Sequence, residues 1–487
     1  MTTIVWFRQD LRISDHPALD AAIQTGADQD HIIPVYIHPV YAPSDQNTDA
    51  TNPLYEGAAT RWWRHHSLRS LAERLESHGS RLIIRRGEPL TELQRLIRET
   101  KARRIVWNRR MEPAARAEDT RIKAALRAEG IEVHSFNGNY LYEPWEIMNK
   151  QGKPFQVFTP YWKAVIAAGL DLPSLPAPDA LPGVPDTLDG LSVGALGLLP
   201  ETSWDRDFHT QWQPGETGAW KRFEDFLPLI DDYAEARNFL IGTGVSKLSA
   251  HLHFGEISPR QIVRHLLDTR GNVLEPRGVE HFVRELGWRE FGAYLAFHFP
   301  ETVDSPLDKR FLHFAWRDAP EDLRAWQRGQ TGVPVVDAAM RCLWHTGWMH
   351  NRARMIVASF LTKNLLIDWR HGAAWFMDTL VDADEPSNTA GWQWTAGTGA
   401  DAAPYFRIFN PVLQAEKFDP DGAFIRRWVP ELARLDHRYL YAPWTADTNT
   451  LHQAGITLGK TYPAPIVDLQ GSRQRALEHF NEIKRAP

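Results

Sequence analysis

The sequence predicts an N-terminal α/β domain built on a parallel sheet, a long connection, and a C-terminal domain that is almost entirely helical. Three observations predict it: β-rich runs alternate with helical patterns up to residue 136, a proline-rich stretch fills 172–200, and strand signal vanishes after residue 205. The β-rich runs are TIVWF (3–7), HIIPVYIH (31–38), RLIIRR (81–86), RIVW (104–107) and IEVHSF (131–136), whose branched and aromatic residues suit a pleated surface. Helical periodicity occupies 57–78, 90–101 and 114–129 between them. Strands alternating with helices make parallel crossovers, and ligands of such sheets sit beyond the carboxyl ends of the strands. No G-x-G-x-x-G and no G-x-x-x-x-G-K-[ST] follows any of these runs, which excludes a conventional dinucleotide domain and a P-loop. The stretch 172–200 has six prolines, several glycines and no aromatic residue, and reads as a semi-rigid inter-domain connection. Beyond it, apolar residues recur at helical spacing in 218–234, 258–269, 279–297, 335–345, 352–366 and 372–382. The predicted division is 1–135 for the α/β domain, 136–204 for the connection and 205–487 for the helical domain.

A length of 487 residues exceeds one ordinary core, and 43% hydrophobic with 24% charged residues is a globular composition. Cys342 stands alone, which excludes a disulfide framework and a thiolate metal cluster and fits a reducing cytoplasm. The start, MTTIVWFRQDLR, lacks a signal-peptide core, and no apolar run approaches the roughly 18 to 20 residues that span a bilayer. The expectation is a soluble cytoplasmic protein with no membrane partner. A net charge of -6 leaves room for a basic groove inside an acidic envelope. The 20 tryptophans are the most distinctive feature, because a flat indole with one donor serves wide contacts and electronic chemistry.

Metal and hydrolase chemistry lack support. His251 with His253, and His65 with His66, have neither partners nor the i, i+4 spacing of a zinc helix, and there is no G-x-S-x-G elbow. The informative region is 331–411. TGWMHNRARMIVASF (346–360) sets asparagine and arginines at the start of an apolar helix, where they are costly to bury unpaired. VDADEPSN (381–388) ends one element and leads into NTAGWQW (388–394), which places two indoles one residue apart between small residues. In a helix Trp392 and Trp394 point about 200° apart, while Asn388 and Trp392 share a face. In a strand the two indoles would share a face, so the local sequence leaves both open.

VWFRQDLRISDHPAL (5–19), LSAHLHFGEISPRQ (248–261), ELGWREF (285–291), TGVPVVDAAMR (331–341), TGWMHNRARM (346–355) and GWQWTAGTGADAAPYFRIFNP (391–411) together resemble the photolyase/cryptochrome family. The resemblance covers nearly the whole chain and is greatest to the bacterial class I cyclobutane pyrimidine dimer photolyases. It implies an antenna role for the α/β domain and FAD and DNA binding for the helical one. The implied activity is that of a carbon–carbon lyase: light-excited reduced FAD gives an electron to a flipped-out pyrimidine dimer in DNA, the cyclobutane ring splits, and the electron returns. By motif match, Trp288 and Trp394 are the aromatic walls for the lesion, and Glu285, Asn351 and Met355 contact it. Tyr233, Val245, Ser246, Lys247, Leu248 and Ser249 match the flavin diphosphate site, with Val245 where the family usually has threonine. Trp348, Asn351, Arg354, Asp382, Asp384 and Asn388 match the residues around the isoalloxazine and ribityl groups, with Glu285 also on the cofactor side. Trp392, Trp369 and Trp316 match the chain that carries electrons from the surface to the flavin. Arg237, Arg352, Arg407 and Lys417 are the basic rim expected for damaged DNA, single-stranded or duplex and of any sequence, bound by a monomer.

Two further departures stand out. Ala114 and Ala115 replace the Asn-Glu of folate-binding members, which weakens the case for methenyltetrahydrofolate as a second, antenna chromophore and leaves an 8-hydroxy-deazaflavin, another flavin or none. Glu385-Pro386 stands where small apolar residues are usual, which suggests an altered backbone approach to the flavin. The competing readings are a cryptochrome-like photoreceptor, a (6-4) photoproduct photolyase, and a DNA-binding module with a structural flavin. Within the resemblance, Asn388, Met355, Trp288 and Trp394 together favour dimer repair.

Overall fold

The computed structural model describes residues 2–24, 31–40, 56–242, 244–405 and 407–485. Two compact units are formed, and they interleave along the chain. The first comprises Met1–Asp231, Ser246–Pro300 and Val381–Pro386; the second comprises Asp232–Val245, Glu301–Leu380 and Ser387–Pro487.

The first unit contains a five-stranded sheet of β1 (Thr3–Phe7), β2 (Ile32–Pro39), β3 (Ile83–Gly87), β4 (Arg104–Asn108) and β5 (Glu132–Phe136), ordered β3-β2-β1-β4-β5. All four pairings are parallel, as alternation with helices requires. Helices Ala58–Ser77, Pro89–Thr100 and Pro113–Ala128 lie within one or two residues of their predicted spans. Ile4, Trp6, Ile33, Val35, Ile105 and Trp107 are among the core residues, none more than 2% exposed.

The connection order reverses between β1 and β4, where an open parallel sheet usually leaves a ligand crevice. Here protein fills that position. Arg8, just after β1, donates to Asp119 Oδ1 at 2.7 Å. Arg12, fully buried, donates to Asn139 Oδ1 at 2.9 Å and to the Gly255 carbonyl at 2.7 Å. Asn108 Nδ2 donates to Asp10 Oδ2 at 2.8 Å, and a Cβ on Gly138 would lie 2.4 Å from Asn108 Cγ. Only a glycine lets that segment close over the strand end.

The proline-rich stretch does more than connect. Leu191 N–H donates to the Ile84 carbonyl at 2.9 Å, and Arg81 Nη2 donates to the Pro185 and Leu188 carbonyls at 2.7 and 2.8 Å. Val184 and Leu188 join the sheet's core. The segment therefore lies along β3 and covers an edge that would otherwise offer unpaired backbone groups. Helix Arg277–His298 belongs to this unit and carries Glu285, Trp288 and Glu290. Glu290 accepts from Leu141 N–H at 2.9 Å, and burial pushes its carboxyl up to about 8.

The second unit is helical, with Pro334–Thr346, Asn351–Ser359, Trp369–Thr379 and Pro411–Phe418 among its helices. The predicted helix over 352–366 is broken: the chain passes into a π-helical turn, Phe360–Asn364. That wider turn directs Lys363 inward, where Nζ donates to the Arg407 carbonyl at 3.2 Å and lies 5.0 Å from the Tyr405 ring centre. Burial alone pushes the Lys363 amine down to about 7. Asp337, fully buried, accepts from Thr331 N–H at 2.6 Å, Gly332 N–H at 3.0 Å and Tyr462 O–H at 2.7 Å, tying the C-terminal segment to this unit. Among the described residues no helix is long and apolar enough to cross a membrane.

Candidate functional site

The segment that local sequence left open is a helix, Glu385–Ala396. Pro386 occupies its first turn, where a missing N–H costs nothing and the fixed φ suits helix initiation. The Glu-Pro pair thus starts the element rather than distorting it. Glu385 itself is largely buried, and its carboxyl is pushed up to about 8 by that burial, with the charges of Glu112 and Asp384 adding to the effect.

Gln393 sets the rotation of this helix. Its side-chain amide donates to the Ser305 carbonyl at 3.0 Å and accepts from Leu307 N–H at 3.2 Å, while its main-chain carbonyl receives Gly397, Thr398 and Gly399 N–H at 3.0 to 3.2 Å. Gly397 ends the helix in the left-handed region, φ +85°, as a C-terminal glycine commonly does. With Gln393 fixed, Trp392 turns inward and is 2% exposed, while Trp394 stays partly exposed. Trp392 packs on helix Trp369–Thr379: a Cβ on Gly372 would lie 2.0 Å from its Cη2, and the Phe376 ring centre is 5.0 Å away. One turn earlier, Asn388 Nδ2 donates to the Ala373 carbonyl at 3.1 Å, which orients its amide on the same helix. Asn388 and Trp392 therefore share a face, as a helical reading requires.

Among the described residues no ring contact joins any two indoles of the predicted electron chain. Trp326, fully buried and donating Nε1 to the Val357 carbonyl at 3.1 Å, is the indole beside Trp392, at 6.2 Å and 67°. Trp369 is buried at the start of its helix with the Arg370 guanidinium 5.1 Å from its ring centre. Trp316 packs on Phe314 at 4.4 Å. Among the described residues neither Trp369 nor Trp316 makes a ring contact with Trp392.

Helix Asn351–Ser359 begins with a histidine cap: His350 Nδ1 accepts from Arg352 N–H at 3.1 Å. Burial pushes that imidazole down to about 3, helped by the cations of Arg352, Arg354 and Arg237. Asn351 is exposed at the first position, and Arg354 Nε donates to the Met349 carbonyl at 2.8 Å. Trp348 packs edge-on to His350 at 6.2 Å. Arg352 Nη2 donates to Asn238 Oδ1 at 2.6 Å, Nη1 lies 3.8 Å from Met355 Sδ, and its guanidinium lies 4.4 Å from the Phe418 ring centre. Lys417 Nζ lies 5.3 Å from the same ring, and the charge of Arg237 adds to the burial that lowers Arg352. Arg237, Arg352 and Lys417 thus form one basic group; Arg407 is exposed apart from them, its carbonyl taken by Lys363.

Of the diphosphate candidates, Tyr233 and Val245 lie together in the second unit. A Cβ on Gly244 would lie 2.4 Å from that of Ala236, so the strand of chain ending at Val245 is pressed on the turn that Tyr233 begins. In the first unit, Lys247 has φ +53° and Ser246 Oγ accepts from Leu248 N–H at 3.4 Å before the short helix Ser249–His253. Asp382 is 6% exposed, and Asp384 Oδ2 lies 3.4 Å from His253 Nδ1. Glu285 and Trp288 are partly exposed on helix Arg277–His298, and Trp288 stacks on Phe158 at 3.7 Å and 10°. The Phe291 ring packs edge-on to the same indole at 6.0 Å.

Each unit carries groups of the kind a flavin dinucleotide needs: in the first, serine hydroxyls, Lys247 and the buried Asp382; in the second, the oriented Asn388 amide and the Arg354 guanidinium. Trp392 Nε1 is also buried without a hydrogen-bond partner among the described residues, a condition that native interiors seldom tolerate.

A pocket of about 320 Å³ was not foreseen. It lies at the carboxyl ends of β4 and β5 and is lined by Arg109, Arg110, Arg116, Lys123, Trp145 and Phe297, among others. Arg116 lies 3.8 Å from the Phe297 ring centre, and Trp145 lies 5.3 Å from Phe297. Burial lowers both Arg116 and Lys123. The double arginine directly after β4 was the available signal.

The chain matches known proteins along nearly all its length. Residues 3–179 match the DNA photolyase family and residues 282–482 the FAD binding domain of DNA photolyase. The deoxyribodipyrimidine photo-lyase of Agrobacterium fabrum is 46% identical over 99% of this chain and 98% of that protein. Cryptochrome-2 of Arabidopsis thaliana is 37% identical over 99% of this chain and 79% of that protein. The crystal structure of a bacterial class III photolyase from Agrobacterium tumefaciens superposes with a TM-score of 0.92 at 44% identity, covering 100% of this chain and 98% of that one.

The His350 cap makes a pH prediction. Its folded value lies below the ordinary 6.5, so the neutral ring stabilises the fold above pH 6.5 and that stability is lost as pH falls towards 3. The loss should reach about 2 kcal/mol by pH 5. His350→Asn keeps a capping side chain without a titrating ring. Urea midpoints at pH 7 and pH 5 should therefore separate less in the variant than in the parent; equal separations would show that the imidazole does not titrate as its burial requires.

With two family matches, whole-length identity and a shared fold, the chain belongs to the photolyase/cryptochrome family and carries its FAD-binding domain.

Proposed function

We propose that the protein is a DNA repair lyase that splits cyclobutane pyrimidine dimers with light, and that within its family it is of class III rather than class I. The observation that carries the repair reading is the division of helix Glu385–Ala396 into a buried face bearing Asn388 and Trp392 and a partly exposed Trp394. The class reading is supported by 44% identity to the class III photolyase over the full chain.

FAD, when bound and reduced, supplies the photoexcited electron that opens the cyclobutane ring. The chain's own residues do the rest. Tyr233, Ser246, Lys247, Leu248 and Ser249 hold the diphosphate, with Val245 contributing no hydroxyl. Trp348, Asn351, Arg354, Asp382, Asp384 and Asn388 grip the isoalloxazine and ribityl groups. Trp369 and Trp316 feed electrons towards Trp392. Trp288 and Trp394 flank the extracted dimer, which Glu285, Asn351 and Met355 contact. Stacking on such walls contributes about 1 to 3 kcal/mol per base and offsets the cost of unstacking. Arg237, Arg352, Arg407 and Lys417 bind phosphates without reading sequence, which makes affinity fall with salt.

A second reading follows from the 37% identity to a plant cryptochrome: a blue-light receptor without repair. Purified reduced protein mixed with dimer-containing oligothymidine and lit with blue light separates them. Recovery of thymine absorbance is the expected result. Binding without recovery would favour a DNA-binding module, neither binding nor recovery would favour the receptor, and recovery on a (6-4) photoproduct alone would identify the other photolyase class of substrate.

The basic pocket beyond β4 and β5 supports a second, light-harvesting chromophore that is planar and anionic, a description that both a folate and a deazaflavin satisfy. Arg116→Met with Trp145→Ala should abolish any near-ultraviolet chromophore that copurifies with the protein while FAD content stays constant. Unchanged chromophore content in that variant would place it elsewhere.

A further inference from the structure

The π-helical turn Phe360–Asn364 brings a lysine into the interior, and turns of this kind recur at functional sites. Lys363 is 1% exposed, and its Nζ donates to the Arg407 carbonyl at 3.2 Å and lies 5.0 Å from the Tyr405 ring centre. Four residues earlier, Ser359 Oγ accepts from Phe409 N–H at 3.3 Å. These two side chains offer a donor and an acceptor to main-chain groups two residues apart, as the edge of a sheet would. The chain they hold leads back to Trp394. Arg407 N–H donates to the Pro404 carbonyl at 2.8 Å, Ala403 N–H donates to the Trp394 carbonyl at 3.1 Å, and a Cβ on Gly397 would lie 3.3 Å from Tyr405 Cα. Tyr405 is 2% exposed and stacks on Phe480 at 4.5 Å.

An amine in an apolar interior with one carbonyl for a partner is costly to bury. We propose that Lys363 is a positioning residue for DNA binding: with Ser359 it fixes the chain between Trp394 and Phe409, and thereby the angle of the Trp394 wall and the place of the Arg407 cation. The inference rests on the repair reading and adds to it a buried side chain that acts through its neighbours. The hold is linked to protons. Burial moves the amine from the ordinary 10.5 to about 7, so the held arrangement favours the neutral amine, and an opened one with the amine in water favours the ammonium. Opening is therefore commonest below pH 7 and is suppressed as pH rises from 7 towards 10.5. The turn packs on helices Trp369–Thr379 and Leu469–Arg485. There Arg370 pairs with Asp368, Arg475 donates to the Asn364 carbonyl at 2.8 Å, Lys484 lies 4.4 Å from the Phe480 ring centre, and His479 Nδ1 lies 3.2 Å from the Ala315 carbonyl. None of these groups adds to the burial that lowers the amine. Tyr405 stays protonated, because burial raises its hydroxyl.

The test follows amide exchange of residues 398–410 in FAD-loaded protein, together with its affinity for dimer-containing oligothymidine. In the parent, opening should be at least about tenfold rarer at pH 8.5 than at pH 6. Lys363→Met keeps the length of the side chain and loses its donor and its charge. At pH 8.5, where the parent is held, exchange in 398–410 should rise in this variant and dimer binding should weaken about fivefold, the order of one lost hydrogen bond. The pH dependence of opening should vanish with the amine. Ser359→Ala should loosen the same residues and weaken binding in the same direction while keeping the pH dependence. Flavin photoreduction should be unchanged in both variants, which separates positioning from damage to the cofactor site. Faster exchange throughout the chain, a parent without the pH dependence, or a Lys363→Met variant that retains it would overturn the proposal, as would dimer binding that is unaltered when 398–410 loosens. Failure of the repair reading looks different: the parent would show no preference for the dimer over undamaged DNA, while exchange of 398–410 would still follow Lys363.

Discussion

One steric contact positions the rest of the proposed site: the indole of Trp392 lies where Gly372 would carry a Cβ, 2.0 Å from its Cη2. No side chain larger than hydrogen fits at 372 with that ring in place, so the indole end lies directly on the backbone of the facing helix. Closeness lets Asn388 reach the Ala373 carbonyl one turn away. Gln393, lashed to the Ser305 and Leu307 backbone, then forbids rotation. The same rotation that buries Trp392 leaves Trp394 partly exposed. Interiors packed to crystal-like density transmit such constraints without slack, so the split between the two indoles follows from a missing methyl group.

The α/β domain shows the opposite use of space. A parallel sheet ordered 3-2-1-4-5 ordinarily binds a ligand where β1 and β4 diverge. In this chain the turn after β1 carries Arg8, Asp10 and Arg12 in place of a glycine-rich loop; Asp10 accepts from Arg8 N–H, and the two guanidinium groups donate to Asp119 and to the Gly255 carbonyl. Guanidinium groups occupy the place where phosphates would sit, and the crevice is closed. The open pocket is displaced by one strand, to the ends of β4 and β5, where Arg109, Arg110, Arg116 and Lys123 gather beside Trp145. Arg109 pairs with Glu143 and Arg110 with Glu118 and Asp119, while burial lowers Arg116 and Lys123.

Much of this was legible in the sequence, and the reasons differ from element to element. The five strands and their helices follow from alternating periodicity, because each half-buried run had to declare its face. Helix Glu385–Ala396 did not declare itself, since residues 388–394 satisfy helix and strand patterns equally; the decision lies with Gly372, far away in sequence. The helix over 352–366 was read as continuous because no residue in it breaks a helix. Only the tertiary position of Lys363 reveals the π-turn. The stretch 172–200 read as a connection because prolines and glycines hide its contact with β3, which uses backbone groups rather than a hydrophobic pattern. Motifs carried the candidate site residues; Arg352 and Lys417 both lie against the Phe418 ring. The basic pocket and the hold of Lys363 on the Arg407 carbonyl carried no motif, because their meaning comes from neighbours distant in the chain.

The division of labour between Trp392 and Trp394 is tested most directly by measuring flavin photoreduction and dimer binding side by side in two variants. Trp392→Phe should slow photoreduction of oxidised FAD by about tenfold or more while leaving the dissociation constant for dimer-containing oligothymidine unchanged. Trp394→Ala should weaken that binding by about tenfold, within the range expected for one lost stacking surface, and leave photoreduction unchanged. Comparable effects of both substitutions on both quantities would contradict the assignment of one indole to the electron path and the other to the lesion.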